Sequence, residues 1–361
     1  MSLDLVLRSD EKAVFALRAL YGKYGYSQYK MSKFEEYDLY VRNKDFLVSD
    51  NIITFTDTDG KLMALKPDVT LSIIKNGKDN PDRLQKVFYN ENVYRVSKGT
   101  KSFKEFMQVG LECLGDVDDY AVTEVLTLAV KSLETVSPEY VLDVSSLDAV
   151  KSVLDDAKVN LSARKQIIGY LSEKNVQGIE SVCANNGVSD PALCALKAMV
   201  KVYGNVEKVK SEFDKIDLSN TTRFELNKLF DTVSALETTS GSGKINIDFS
   251  VVNDMNYYNG VVFKGFVSGI PTGILSGGQY DNLMGKMGKK SKGVGFAVYL
   301  DELSKLSIAE EKFDVDVALE YGNADVKKVC QTVKQIIDGG ETVLAEKVIP
   351  EKLKYKRIIK L

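Results

Sequence analysis

Hydrophobic and polar positions follow two different periods along this chain, and each change of period marks a change from strand to helix. Apolar residues recur at helical spacing over residues 9–24, which predicts an amphipathic helix. Residues 51–68, 85–97 and 103–115 have mostly strand-like patterns, and the last of them alternates with the period of two that is typical of strands. An Asp-Gly pair inside the first of these segments predicts a hairpin turn. The first part of the chain is therefore predicted to be mostly sheet.

A long helical region separates this part from a second group of predicted strands. Residues 118–136 predict one long helix, and residues 140–146 predict a strand. From residue 147 to about 237 the chain consists almost entirely of short helical patterns. A Ser/Gly-rich loop, TTSGSGK, follows, and strand patterns then resume. The end of the chain predicts a strand, a helix and two further strands.

These elements predict an α+β fold with a largely antiparallel sheet, flanking helices, a helical insertion and a short C-terminal α/β appendage. We expect residues 1–146 and 238–308 to form the core fold, residues 147–237 the helical insertion, and residues 309–361 the appendage. A chain of 361 residues is long enough for two or three domains. The appendage is too short for an ordinary independent domain.

One face of the predicted strand 103–115 is unusually polar. In the sequence EFMQVGLECLG, Gln108, Gly110 and Glu112 share a face, and the residues between them are apolar. An amide, a residue without a side chain and a carboxylate are suited to the wall of a pocket for a small polar ligand. Exposure of this face to solvent is the simpler alternative.

Composition excludes several classes of chemistry. The chain contains 0 histidines, which excludes Ser-His and Cys-His mechanisms and most zinc sites. Its 4 cysteines are widely spaced without a C-x-x-C pair, and we expect them to be buried, reduced thiols. We therefore predict neither a metal site nor a cofactor.

Charge and hydropathy predict where the protein is located and what it does not bind. The net charge is −3, with Lys+Arg 48 against Asp+Glu 51, so no strong positive field is available for nucleic acid. Charged residues interrupt the N-terminal region where a signal peptide needs an apolar run, and no segment is apolar enough to span a bilayer. We expect a cytoplasmic protein that binds neither nucleic acid nor membranes.

Other segments also place polar or small residues where a strand or turn needs none. Two of these residues follow Pro67 at a predicted helix start, for which a helix cap is the ordinary explanation. Tyrosine pairs in strands more often serve packing, and a Gly-Gly pair more often marks a turn or bulge. The candidates are Asp68, Thr70, Arg95, Tyr257, Tyr258, Gly277, Gly278 and Tyr280.

Taken in order, these segments resemble the catalytic core of histidyl-tRNA synthetase, a class II aminoacyl-tRNA synthetase. LKPDVT is similar to the L-R-P-E-x-T of that family, and VYRVS with FMQVGLECLG is similar to its motif 2 and the following Q-x-G-x-E. NDMNYYNGVVF is similar to R-G-L-D-Y-Y-T-G, GGQYDNL to G-G-R-Y-D-x-L, and GVGFAVYLDEL to motif 3. The resemblance covers roughly residues 8–145 and 245–304.

The resemblance implies a class II synthetase-like fold with a pocket for histidine. At the matching positions, Asp68, Thr70 and Gln108 would bind the α-amino end of the amino acid. Glu112 and Tyr258 would bind the two ring nitrogens, and Gly110 would leave room for the ligand against the strand. The remaining residues that the resemblance assigns to this pocket are Arg95, Tyr257, Gly277, Gly278 and Tyr280.

The departures from the family pattern concern ATP. The arginine that opens R-G-L-D-Y-Y is Asn253 here, and the motif 3 arginine that holds ATP is Glu302. The motif 2 loop is shortened to VSKGTKS, and the proline of motif 1 is Ser32. Transfer to and from phosphates needs positive charge close to the developing negative charge. The resemblance therefore implies that histidine binding is kept and that no catalytic residues remain.

This combination is similar to the synthetase-like regulatory subunits of ATP phosphoribosyltransferase, which act in the first step of histidine biosynthesis. That similarity implies a non-catalytic protein that binds L-histidine as a feedback effector and supports a short-form catalytic subunit. It also implies self-association as a dimer within a hetero-octamer. Two alternatives stay open: a divergent histidyl-tRNA synthetase or amino-acid ligase that still uses ATP, and a sensor of uncharged tRNA.

Overall fold

A computed structural model describes residues 7–44, 47, 51–96, 101–240, 243–252, 255, 257–303 and 313–361. The chain divides into two compact units, a larger one of Ser9–Lys305 and a smaller one that contains Leu306–Leu361 together with Met1–Arg8. None of the helices in the described ranges is long and apolar enough to cross a membrane. The same residues contain no group of His, Cys, Asp and Glu side chains arranged to bind a metal ion.

The larger unit contains the following strands and helices. The strands are β1 (Ser27–Gln28), β2 (Phe34–Glu36), β3 (Thr54–Thr56), β4 (Leu62–Leu65), β5 (Gln85–Val96), β6 (Phe103–Gly115), β7 (Tyr140–Ser146), β8 (Ile245–Ile247), β9 (Asn259–Val267), β10 (Leu275–Gln279) and β11 (Lys292–Tyr299). The helices are α1 (Ser9–Lys23), α2 (Tyr37–Arg42), α3 (Thr70–Asn76), α4 (Asp119–Val136), α5 (Leu147–Asp156), α6 (Leu161–Ser172), α7 (Val176–Asn185), α8 (Asp190–Lys201), α9 (Val206–Phe213), α10 (Asn220–Ser240), α11 (Asp281–Lys286) and α12 (Leu300–Leu303).

Eight strands form the central sheet of this unit, in the order β1-β5-β6-β11-β10-β9-β7-β8. The pairs β1–β5 and β7–β8 are parallel, and the other neighbours are antiparallel. A smaller antiparallel sheet has the order β2-β4-β3, and its β3–β4 turn contains Gly60 at φ +80°, as the Asp-Gly pair predicted. The predicted α+β fold with a largely antiparallel sheet is confirmed.

Helices α1 and α4 cover one face of the central sheet, which leaves the other face free to form a pocket. The α4 helix begins at Asp118, whose side chain accepts a hydrogen bond from the backbone N–H of Ala121. Apolar residues of both helices, including Leu17, Val125 and Leu128, are completely buried. Each such side chain contributes about 1.5–3 kcal/mol when it leaves water. The sheet is therefore held firmly from this side.

Six helices, α5 to α10, connect β7 to β8 where the sequence predicted a helical insertion. They pack in the same compact unit as the sheet, so the domain boundaries at residues 147 and 237 stay a prediction. Four of these helices begin with a side chain that accepts a hydrogen bond from the backbone N–H three residues later, as N-caps do: Ser146, Asn160, Asn175 and Asn205.

The smaller unit contains β12 (Val315–Glu320), α13 (Val326–Asp338), β13 (Val343–Glu346) and β14 (Tyr355–Lys360). Its three strands are parallel and have the order β13-β12-β14. Val317, Ala318 and Leu319 of the central strand are fully buried. The predicted order of strand, helix and two strands is confirmed.

The prediction of four buried thiols is wrong for two of them. Cys113 and Cys183 are buried, whereas Cys194 and Cys330 are exposed. In α8 the buried positions include Ala195 and Met199, so Cys194 faces away from the packed side. The side of the helix on which a cysteine lies decides whether it is buried, and this outweighs the general preference of cysteine for the interior.

Candidate functional site

A cavity of about 880 Å³ lies on the sheet face opposite α1 and α4. Strands β5, β6, β9, β10 and β11 contribute residues to it, as does the segment that leads into α3. Nine of the ten predicted site residues line this cavity, and Gly278 does not. The cavity brings together Asp68, Thr70, Arg95, Gln108, Glu112, Tyr257, Tyr258, Gly277 and Tyr280.

The polar face of β6 forms part of this wall rather than facing bulk solvent. Gln108 is 3% exposed and Glu112 is 2% exposed, so the solvent alternative is wrong. The side-chain amide of Gln108 has no hydrogen-bond partner among the described residues, and it lines the cavity. An amide that faces a cavity offers one acceptor oxygen and two N–H donors to a polar ligand. Gln108 thus supplies a binding group at one end of the pocket.

Glu112 is held at the other end of the pocket by two hydroxyl groups. Thr70 Oγ1 donates to Glu112 Oε1 over 2.7 Å, and Tyr280 Oη donates to Oε2 over 2.5 Å. Burial raises the pKa of Glu112 to about 8, because the charged form has lost its hydration; the nearby Asp68 carboxylate raises it further, and the two hydroxyl donors lower it. Burial therefore favours the protonated form of this carboxyl group far more than water does. A ligand that brings an N–H group or a positive charge would favour ionised Glu112.

Glycines on β6 and β11 make room for the large side chains of the site. A Cβ atom added to Gly295 would lie 1.8 Å from Glu112 Oε2, and one added to Gly293 would lie 2.2 Å from the Tyr280 ring. The sequence interpretation did not include either glycine, although both lie in GVGFAVYLDEL, the segment that resembles motif 3. The pairing of β6 with β11 explains the glycine at position 295, because it places this residue directly opposite Glu112.

Gly110 makes room for a protein side chain and not for the ligand. A Cβ atom at this position would lie 2.4 Å from Tyr89 Oη on the neighbouring strand β5. The prediction that Gly110 lets the ligand lie against the strand is therefore wrong. Tyr89 lines the cavity above this glycine and is a site residue that the sequence interpretation missed.

The segment before α3 forms a rigid wall of the cavity. Asp68 Oδ1 accepts a hydrogen bond from the backbone N–H of Leu71 over 2.9 Å, so this residue caps the helix as well as facing the pocket. Arg95 Nε donates to the carbonyl of Pro67 over 2.5 Å, and its Nη2 lies 3.6 Å from Asp68 Oδ2. Burial raises the pKa of Asp68, although the Arg95 charge opposes this shift.

Three tyrosine rings close the side of the pocket near Glu112. The Tyr257 ring lies 4.5 Å from the Tyr258 ring and 6.1 Å from the Tyr280 ring, measured between centroids. A Cβ atom at Gly278 would lie 2.9 Å from Cδ1 of Tyr258, so this glycine lets the Tyr258 ring pack against β10. Gly278 thus supports the pocket from behind, and the rings provide an apolar, aromatic surface for a flat ligand.

The far end of the cavity carries two carboxyl groups, Asp301 and Glu302, and one ammonium group, that of Lys264. Glu302 Oε2 accepts a hydrogen bond from Thr272 Oγ1 over 2.7 Å, and Asp301 Oδ2 accepts one from the backbone N–H of Met107 over 3.0 Å. Burial raises the pKa of Asp301, and the neighbouring Glu302 charge adds to the shift. Two carboxyl groups oppose the binding of a triphosphate at this end. Asn253 and residues 97–100 of the shortened motif 2 loop lie outside the described residues.

The family model named Histidyl-tRNA synthetase matches residues 6–303 of this chain. A protein named ATP phosphoribosyltransferase regulatory subunit from Bacillus cereus is 24% identical over 314 residues, which cover 84% of this chain and 74% of the relative.

Among solved structures, an ATP phosphoribosyltransferase regulatory subunit/histidyl-tRNA synthetase from Bacillus halodurans matches with a TM-score of 0.76 and 21% identity, covering 98% of this chain and 93% of the other. The ATP phosphoribosyl transferase (HisG:HisZ) complex from Thermotoga maritima contains a chain with a TM-score of 0.65 and 20% identity, covering 81% of this chain and 97% of the other. These similarities support the class II synthetase-like fold.

Proposed function

Because this chain belongs to the histidyl-tRNA synthetase family, we propose that its pocket binds L-histidine without activating it. The chain then serves as a regulatory subunit of ATP phosphoribosyltransferase in the first step of histidine biosynthesis. The observation that carries this proposal is a buried pocket with Gln108 at one end, Glu112 at the other and carboxyl groups beyond. The names of the relatives from Bacillus and Thermotoga support the same role.

Histidine has polar groups that match both ends of the pocket. Its α-ammonium group would lie near Asp68 and Gln108, where a carboxylate and an amide oxygen accept hydrogen bonds. A ring N–H would donate to Glu112, and the tyrosine rings would cover the flat faces of the imidazole. Two polar ends joined by a short apolar link favour an amino acid with a polar ring over a purely aliphatic one.

The loss of ATP-dependent activation follows from negative side chains at the position where the family binds the phosphates of ATP. Adenylate formation requires positive charge placed against the phosphates as the transition state forms. In this chain Glu302 takes the place of the motif 3 arginine, and Asp301 lies beside it in the same cavity. Their carboxylates would repel the triphosphate of ATP and oppose the positive charges of Arg95 and Lys264 in the same cavity, which supports a chain without a catalytic role of its own. The phosphoribosyl transfer takes place on the partner chain.

The partner in this proposal is a short-form catalytic subunit of ATP phosphoribosyltransferase, with which the chain forms a cytoplasmic hetero-octamer through its own dimer. Feedback requires that histidine binds one state of this assembly more tightly than the other. Couplings of this kind usually correspond to about 1–3 kcal/mol. Histidine at this pocket would then shift the assembly towards its inactive state.

The experiment that tests this proposal combines binding with activity. Isothermal titration calorimetry of the purified chain should show binding of L-histidine, and mixing with a short-form transferase should give an activity that histidine inhibits. Pyrophosphate exchange with histidine and ATP should be absent. Exchange above the background would overturn the proposal in favour of a divergent synthetase or ligase, and histidine-independent activity of the complex would remove the regulatory role.

A further inference from the structure

Tyr89 is a pocket residue that none of the sequence motifs includes. It lies on β5, is 2% exposed and lines the cavity. Its strand neighbour across the β5–β6 pair is Gly110, which is midway between Gln108 and Glu112. Directly opposite residues of an antiparallel pair point to the same face of the sheet. The side chain of Tyr89 therefore shares the cavity face with both polar residues.

The hydroxyl group of Tyr89 lies above the middle of the binding wall. A Cβ atom added to Gly110 would meet Tyr89 Oη at 2.4 Å and Cζ at 2.5 Å, so the tip of the ring covers this glycine. Gln108 and Glu112 are four residues apart on one strand, a Cα separation of about 13 Å. A ligand that contacts both side chains must cross the point where the Tyr89 hydroxyl lies.

This hydroxyl group is available to a ligand. Within the described part of the chain it has no hydrogen-bond partner, whereas the hydroxyl of Tyr280 donates to Glu112. Burial raises the pKa of Tyr89 well above its usual value, and the nearby carboxyl groups of Glu112 and Asp68 add to this effect. The phenol therefore keeps its proton and can donate. Tyr89 lines the cavity, so a ligand acceptor there can take a hydrogen bond that no protein group takes.

We propose that the Tyr89 hydroxyl donates a hydrogen bond to the unprotonated ring nitrogen of a ligand whose other ring nitrogen donates to Glu112, and so selects ligands with an acceptor at that point. The identity of the ligand as L-histidine rests on the proposed function. An amino acid with an apolar side chain offers no acceptor there and would leave the donor unpaired. Tyr89 is thus a specificity-determining residue of the pocket.

Substitution of Tyr89 by phenylalanine tests this inference, because it removes one oxygen atom and keeps the ring above Gly110. We expect the affinity for L-histidine, measured by titration calorimetry, to fall about three- to ten-fold, the usual effect of one neutral hydrogen bond. Stability in urea should not fall, since the empty pocket loses no hydrogen bond. A structural role of the hydroxyl would predict the reverse, a loss of stability with an unchanged affinity.

Tyr40→Phe is the matched control. Tyr40 is 0% exposed, belongs to the same apolar cluster as Tyr89 and has a buried hydroxyl, but it does not line the cavity. This variant should bind histidine as the wild-type protein does. Unchanged affinity in Tyr89→Phe, or an equal loss in both variants, would overturn the inference. If the wild-type protein does not bind histidine, the proposed function fails, and the specificity assigned to Tyr89 fails with it.

Discussion

The carboxyl group of Glu112 occupies the space in which a side chain at Gly295 would lie. These residues are direct neighbours across the β6–β11 pair, and a Cβ atom at Gly295 would lie 1.8 Å from Glu112 Oε2. Real Cβ atoms do not approach an oxygen so closely. The absence of a side chain on β11 therefore determines where the main acceptor of the pocket can lie.

Gly295→Ala should damage the pocket specifically. The new methyl group must displace the Glu112 carboxyl, which also loses its hydrogen bonds to Thr70 and Tyr280. We expect the affinity for histidine to fall at least ten-fold and the free energy of unfolding to fall by about 1–3 kcal/mol, as overpacked cores do. Titration calorimetry and urea unfolding measure the two effects.

The control for this variant is Gly169→Ala on the exposed side of α6, where a Cβ atom meets nothing within 4 Å. It should leave histidine affinity unchanged and raise stability by about 0.5–1 kcal/mol, because alanine favours the helix. Equal behaviour of the two alanine variants would show that the space above Gly295 is not needed.

Glu112→Ala should weaken histidine binding more than any other truncation in the pocket. It removes the acceptor for a ring N–H, which then stays buried without a partner. Loss of a hydrogen bond to a charged group corresponds to about 1.5–3 kcal/mol, or roughly a ten- to hundred-fold change in dissociation constant. Glu105→Ala, an exposed position on the same strand, serves as the control and should not change the affinity. An affinity within two-fold of the wild type in both variants would contradict the assignment of Glu112.

The stability of the ligand-free protein should depend on pH through Glu112. Its pKa is about 8 in the folded protein against 4.5 for the free side chain, so the folded state binds the proton more tightly. This contribution to stability is complete below about pH 4.5 and is lost as the pH rises through about 8.

Glu112→Gln removes this contribution, so wild type and variant should diverge as the pH rises from 5 to 8.5. Urea unfolding at several pH values measures the difference, and we expect the wild type to become the less stable protein at high pH. A difference that stays constant across this range would mean that Glu112 does not carry a raised pKa.

The wall that carries Asp68 should depend on a buried ion pair. Lys66 is 0% exposed, and its Nζ lies 2.5 Å from Glu91 Oε2 on β5. Glu91→Gln removes the countercharge of the buried lysine and keeps an oxygen that can accept its hydrogen bond, which should destabilise the protein by about 1.5–3 kcal/mol. Urea unfolding at neutral pH measures this loss.

A surface pair provides the comparison for this prediction. Lys61 and Glu36 form a bridge of 2.8 Å whose side chains are 56% and 48% exposed. Glu36→Gln should change the free energy of unfolding by less than about 1 kcal/mol, since exposed pairs contribute little. Similar losses in the two variants would show that the Lys66 pair has no special role in holding this wall.

Much of this fold follows from local pattern. Alternation predicted β6, strand-like composition predicted β5, helical spacing predicted α1 and α4, and an Asp-Gly pair predicted the β3–β4 turn. The same alternation placed Gln108 and Glu112 on one face, because side chains in a strand point alternately to its two sides. The structure confirms that shared face and shows that it is buried.

Contacts between residues on neighbouring strands depend on strand register, and the sequence alone did not predict them. Tyr89 and Gly295 are separated by most of the chain, and only the pairing of β5 and β11 with β6 brings them to Gly110 and Glu112. A shift of one residue in either pair would point the Tyr89 side chain away from the cavity or place Val294 or Phe296 opposite Glu112 instead of a glycine. For that reason Gly110 was interpreted as space for a ligand.

By itself, the sequence determined that the polar residues of β6 share one face of the strand and its apolar residues the other, and that the chain has no histidine side chain for catalysis. Tertiary structure decided which side chains fill the pocket wall and which polar atoms remain for a ligand. The physical reason is that periodicity is a local property of the backbone, whereas the space above each glycine depends on neighbours that are distant in the chain.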